Sequence, residues 1–252
     1  MISPLAISLI AFACVFGGGI LGLVLRPKLP AHHLNEESKD LVKLGMGLIG
    51  TMAALLLGLQ VASAKGSYDA QRNEVVQMSA NLILLDRTPS HYGPETQETR
   101  DLLRAVFSRA LNQLWPSNTS RPTGSEPMGA GGEVPYDKVQ KLSPHSDAQR
   151  SMKAQALNVA LALEQTRWLL FEQRGSTISM PLIVVVVFWL TIIFVSFGVL
   201  SPSNATVVVT LFVCALSVSG AIFLMLEMDR PFSGLLQISD APLRNALAHL
   251  GQ

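Results

Sequence analysis

Hydrophobic positions are distributed along this chain in two distinct ways. In three stretches no charge interrupts them: Asp, Glu, Lys and Arg are missing from Ile2 to Leu25, from Leu44 to Ala64, and from Gly175 to Leu226. Elsewhere they recur at helical spacing among charged neighbours. An apolar run of roughly 18 or more uncharged residues is a membrane-span candidate, and at about 1.5 Å of rise per residue the second run is long enough to cross once. The third run has room for two crossings, with the turn-forming Ser201-Pro202-Ser203-Asn204 at its middle. The pattern predicts four transmembrane helices, at about 4–25, 44–64, 178–200 and 205–226. The first run lacks a basic leading region and is longer than the apolar part of a signal peptide, so it reads as a retained span.

Between the second and third spans the spacing predicts further helices and no strand. Val75, Met78, Leu82 and Leu85 continue the second span's helix towards Thr88-Pro89. After Tyr92-Gly93-Pro94, Leu103, Phe107, Ala110 and Leu114 fall on one face of a helix that stops near Trp115-Pro116. Residues from Ser117 to about Pro144 are crowded with Gly, Pro and Ser and read as a mobile loop. Met152, Ala156, Val159, Leu163 and Leu170 then mark a helix that leads into the third span through Gly175. The fold class is an all-α integral membrane protein: four transmembrane helices and a cytoplasmic helical stalk, formed by extensions of the second and third spans plus an intervening helix. Its parts are residues 1–64 (two spans and their loop), 65–174 (the helical domain, with the loop at about 117–144), 175–226 (two spans) and 227–252 (an interfacial tail).

Composition sharpens this picture. The 252 residues are 49% apolar and only 15% charged, against roughly 25% charged in a soluble domain. The charge-free runs cover 97 residues, and the other 155 carry all 37 charges, or 24%. The chain is therefore made of two materials, one adapted to lipid and one ordinarily aqueous. A net charge of +1 gives no basic excess for a nucleic-acid binder. Four spans put both termini and the central segment on one side. Arg26, Lys28, Lys39 and Lys43 flank the other side, against Lys65, Arg72, Arg167, Arg174, Arg230 and Arg244. The excess of basic residues places termini and central segment in the cytoplasm, in what reads as a bacterial inner membrane.

The second span holds the candidate chemistry. Leu48, Met52, Leu55 and Leu59 form an apolar stripe, while Thr51, Gln60 and Ser63 are polar, with Ser67 and Gln71 continuing the polar line. A pore uses both kinds of surface, polar groups replacing ion hydration and an apolar constriction gating by dewetting. The same residues also suit a buried helix-to-helix hydrogen bond and lipid contact. Gly50, Ala54, Gly58 and Ala62 recur every four residues, with Gly18 and Gly22 a shorter version in the first span. Such small-residue ridges let helices approach closely, within one subunit or between two. Directly after the fourth span, Glu227, Asp229, Arg230, Pro231 and Phe232 start an interfacial motif whose Leu235, Leu236 and Ile238 suit an amphipathic segment lying along the membrane. Cys14 and Cys214 read as small buried hydrophobes. His32 and His33 are neighbours on a loop and do not make a metal sphere, whereas Asn35 with Glu36 and Glu37 reads as a helix start. No catalytic motif, metal site or cofactor is expected.

Three blocks of sequence then carry a resemblance. LPAHHLNEESKDLVKLGMGLIGTMAALLLGLQVASAKGSYDAQ in residues 29–71, NLILLDR and HYGPE in residues 81–95, and EMDRPFSGLLQIS in residues 227–239 resemble the bestrophin-like family of bacterial membrane proteins. The resemblance implies relationship to bestrophins, which are oligomeric anion-conducting channels with an intracellular helical portion. The bestrophin pore helix has an apolar neck that includes phenylalanines; residues 44–64 contain no aromatic, and no acidic calcium clasp is recognisable. No bestrophin functional residue is therefore carried over. The expectation is a non-enzymatic, channel-like homo-oligomer in the lipid bilayer, passing anions or other small ions along the second span. The alternative is a non-conducting scaffold that recruits a partner through its cytoplasmic helices.

Overall fold

A computed structural model describes residues 3–30, 36–90, 96–115, 133–173 and 178–250. The expected cap Asn35, the pair His32 and His33, the Tyr92-Gly93-Pro94 turn, Pro116 with residues 117–132 of the expected loop, and Arg174 with Gly175 lie outside them. Among the described residues the regular elements are all helices, without a strand. In chain order the helices are α1 (Pro4–Leu25), a short 3-10 turn (Arg26–Lys28), α2 (Glu36–Ser90), α3 (Gln97–Leu114), α4 (Glu133–Gln140), α5 (Asp147–Glu172), α6 (Met180–Leu200), α7 (Ala205–Met228) and α8 (Ala241–His249). They divide into two compact units, Met1–Ser67 with Ser176–Arg230, and Tyr68–Gly175 with Pro231–Gln252.

Four helices, α1, α2, α6 and α7, are long and apolar enough to cross a membrane. Their ends are built from local chemistry. The Ser3 side chain accepts from the Ala6 N–H at 3.2 Å, and Asn204 Oδ1 accepts from the Val207 N–H at 2.9 Å, so α1 and α7 each begin on a capping side chain. Ser179, in extended backbone, precedes α6, whose first turn takes Pro181. The third span and the α5 helix before it are thus two separate elements. Hydroxyls inside the spans bond back to their own helix: Thr191 to the Val187 carbonyl at 2.7 Å, Thr210 to Thr206 at 2.9 Å and Ser217 to Val213 at 2.8 Å. These three hydroxyls are thereby satisfied without a second helix, as an apolar solvent requires.

The first unit packs around α1. Its buried positions, Ser8, Ala11, Val15, Gly18 and Gly22, follow steps of three and four and form one seam. Val15 meets Ile193, Phe194, Leu211 and Ala215 in one cluster, edged by Phe12 and Phe16 stacked at 5.6 Å with Phe212 edge-on to both. Gly18 and Gly22 sit against α6: a β-carbon at Gly18 would stand 2.9 Å from the Thr191 methyl, and one at Gly22 would strike the Val195 carbonyl. A second cluster joins Ala11, Ala64, Ile178, Ile183, Ile222 and Met225.

The second unit is an ordinary helical core. Val75, Met78, Leu82 and Leu85 of α2, Leu103, Phe107, Leu111 and Leu114 of α3, Val139 of α4, Leu163 and Leu170 of α5, and Leu243 and Ala246 of α8 bury together. Two helices in it depart from the sequence expectation. α4 lies inside the stretch read as loop, and α8 was not foreseen; each carries its proline, Pro135 or Pro242, in the first turn, where the missing N–H leaves no bond unmade. α4 is held on both sides: Lys138 donates to Glu98 at 2.6 Å, and the Lys153 ammonium donates to the Gln140 and Leu142 carbonyls at 2.6 and 2.7 Å. Asp86 and Arg100 join α2 to α3 through two parallel bonds of 2.7 and 2.9 Å.

Candidate functional site

The 55 residues of α2 rise about 80 Å, against a bilayer core of about 30 Å, so this helix is far longer than a span. Its inward positions follow one seam: Ala53, Leu57, Gln60, Ala64, Ser67, Gln71, Val75, Met78, Leu82 and Leu85 are buried or half-buried in steps of three and four. The period is the 3.5-residue repeat of packed helices.

The opposite face of the spanning part is open. Leu44, Leu48, Leu55 and Leu59 are 65–73% exposed, Met52 is 47% exposed, and Thr51, Ala54, Gly58, Ala62 and Ser63 are exposed with them. The Thr51 hydroxyl donates to the Gly47 carbonyl at 2.9 Å, on the exposed side of the helix. Met52, Leu55, Leu56 and Leu59 with Trp189 of α6 line an apolar hollow of about 360 Å³ on this surface.

The candidate residues of the second span therefore separate. Leu48, Thr51, Met52, Leu55, Leu59 and Ser63 share the open face, whereas Gln60 is 6% exposed and belongs to the inward seam. Polarity suggested that Gln60 and Ser63 face the same way; burial puts them on different faces of α2. Of the small residues, Gly18 and Gly22 are used inside the subunit. Gly50 approaches Ile193 Cδ1, to which a β-carbon would be 3.8 Å, and Gly58 has nothing within 4 Å. Cys14 and Cys214 are exposed free thiols, not the buried residues expected. Where lipid covers a spanning helix, the usual drive to bury an apolar group is missing, so exposure alone does not separate a lipid-facing from a pathway-facing side chain.

The motif after α7 also lies otherwise than expected. Glu227 is buried in the last turn of α7, and Asp229 and Arg230 continue the turn through backbone bonds to Met225 and Glu227. Pro231 is buried, and Phe232 stacks edge-on with Trp115 at 5.2 Å. The Trp115 indole N–H donates to the Ile238 carbonyl at 2.7 Å. Phe232 and Ile238 thus pack into the second unit, and of the motif's large apolar side chains Leu235 and Leu236 stay exposed. Nothing in the spacing of Trp115 and Phe232, far apart in the chain, signals this pairing.

Among the described residues no group of three or more His, Cys, Asp or Glu is placed to hold a metal ion. Outside the spans, the Glu98 carboxyl is held below its ordinary value by the hydrogen bond from Lys138 and then by its charge. The Arg100 guanidinium is raised, first by its hydrogen bond to Asp86. Both are ion pairs of the second helical unit.

The family model of the Bestrophin-like domain matches residues 13–243. Among solved structures, a single-substitution variant of a bacterial bestrophin homologue from Klebsiella pneumoniae is similar in fold, with a TM-score of 0.74, 13% identity, and coverage of 97% of this chain and 99% of that one. A second variant of that homologue gives 0.70 at 13% identity, and a structure described only as a membrane protein gives 0.69 at 12%, both with the same coverage. No curated protein matches in sequence.

Proposed function

The chain belongs to the bestrophin-like family of membrane proteins, and from that premise we propose that it assembles into a homo-oligomeric channel whose open face of α2 lines a pathway for anions or other small ions. The observation that carries the proposal is the exposed stripe of Leu48, Thr51, Met52, Leu55, Leu59 and Ser63 on a helix otherwise packed by a regular seam. One subunit with four spans is too small to enclose a wet axis, so the stripe faces the axis only when copies surround it. Thr51 and Ser63 then supply polar groups, and the leucines between them supply the constriction. Gln60 serves behind the stripe, inside the subunit. Ala54, Gly58 and Ala62 let neighbouring α2 helices come close. The flanking Lys and Arg residues support a bacterial inner membrane with both termini and the central segment cytoplasmic.

Purified protein in liposomes tests this directly. With Cys14 and Cys214 removed, Thr51→Cys and Ser63→Cys should react with a water-soluble thiol reagent, and the protein should move halide above the rate of empty vesicles. Uniform protection together with no flux across a range of pH, calcium and voltage would overturn it.

A scaffold reading has one observation of its own: Leu161, Trp168 and Leu169 of α5 are exposed on the aqueous unit. Protected cysteines in α2 with a partner retained by these side chains would favour it.

A further inference from the structure

We propose that the turn Ser233–Gln237, with Leu235 and Leu236 at its tip, is a lipid anchor that seats in the membrane interface where α7 ends. Its root is fixed by hydrogen bonds. The Asp229 N–H donates to the Met225 carbonyl at 3.3 Å and the Arg230 N–H to Glu227 at 3.0 Å, so the backbone is still wound on the end of α7 when the turn begins. The Ile238 N–H donates to the Pro231 carbonyl at 2.7 Å and closes residues 231–238 into a loop. Gly234 reverses the chain at φ 105°, a conformation that a residue with a β-carbon rarely adopts. Buried Pro231 and Ile238, with Trp115 bonded to the Ile238 carbonyl, hold the loop against the second unit.

The root leaves two large apolar side chains outside: Leu235 is 78% exposed and Leu236 is 38% exposed. Adjacent leucines held outwards on an ordered turn are unfavourable in water and ordinary at a bilayer surface. Position identifies the occupant. Leu235 is five residues from Arg230, at most about 18 Å of extended chain. The end of a membrane-crossing helix is therefore within reach, and the lipid interface is continuous with it.

The test uses the full chain, with Cys14 and Cys214 replaced by alanine, in phosphatidylethanolamine and phosphatidylglycerol vesicles. A nitroxide on Leu235→Cys should collide with oxygen in preference to a water-soluble nickel chelate, at a ratio several-fold above that of a nitroxide on Asp147→Cys, whose side chain is 92% exposed. A ratio equal to the reference means water and overturns the anchor. Low collision rates with both reagents mean burial against protein and overturn it equally. Should Leu235→Cys fail to fold, Leu236→Cys reports on the same turn. The readout is independent of ion flux, so this inference and the channel proposal fail separately.

Discussion

Gly22 and Gly198 meet backbone to backbone where α1 and α6 pack: a β-carbon on Gly22 would stand 2.9 Å from the Gly198 Cα, and one on Gly198 would stand 2.7 Å from the Leu23 nitrogen. The obstacles are main chain, which cannot rotate away, so α1 and α6 must separate to admit even a methyl group. Gly22→Ala should destabilise the protein by roughly 1–3 kcal/mol, the range of core overpacking. Gly17, one helical turn and a half earlier, has nothing within 4 Å of its β-position. Gly17→Ala should leave thermal stability in detergent unchanged or raised. Equal melting of the two variants would mean that the close approach contributes nothing.

How much of this was legible follows from what the bilayer constrains. Charge-free runs long enough to cross can hardly be anything but spans, so α1, α6 and α7 lie within a few residues of expectation. Val75, Met78, Leu82 and Leu85 revealed the extension of α2 because beyond the membrane the outside is water and periodicity marks the inside. Within the membrane that signal is lost, since lipid is as apolar as the core. Leu55 points outwards and Gln60 inwards, the reverse of what a soluble helix teaches. α4 was hidden by the Gly, Pro and Ser of the stretch read as loop, although Pro135 stands in its first turn, and α8 lies in a tail for which no helix was expected.

Asp86 and Arg100 should be the most sensitive polar pair in the second unit. Their side chains are 5% and 13% exposed and bond through two parallel contacts. Removing one partner strands the other charge in a poorly hydrated place, so Asp86→Ala should cost about 3–5 kcal/mol. Arg100→Lys keeps the charge but loses the planar fork, and should melt between the wild type and Asp86→Ala. Melting temperatures of the three proteins decide this; a wild-type value for Asp86→Ala would show the pair to be dispensable.

The contact between α3 and α4 should loosen in acid. The Glu98 carboxyl is depressed below 4.5 by Lys138, so the folded state binds this proton less readily than the unfolded chain does. Its contribution is complete above pH 4.5 and is lost as pH falls through the lower folded value. Both side chains face solvent, so the effect is confined to α4 rather than global. A nitroxide on Asp137→Cys, in a background without Cys14 and Cys214, should gain mobility below pH 4.5 in the otherwise native protein and show a flatter pH response with Glu98→Gln. Identical acid profiles would assign the change to other carboxyls.

Side-chain size on the open face of α2 should govern ion flow. Leu55 and Leu59 are 71% and 67% exposed and line the same apolar hollow with Met52. An apolar constriction resists ions by dewetting, and the resistance falls steeply as it widens or takes up a hydroxyl. Leu55→Ser and Leu59→Ser should therefore raise halide flux in liposomes several-fold per folded protein. Leu9 is as open, at 62% exposed, but lies on α1, and Leu9→Ala should leave the flux unchanged if α2 alone lines the pathway. Equal rates for all three variants and the wild type would remove α2 from the pathway, even in a protein that conducts.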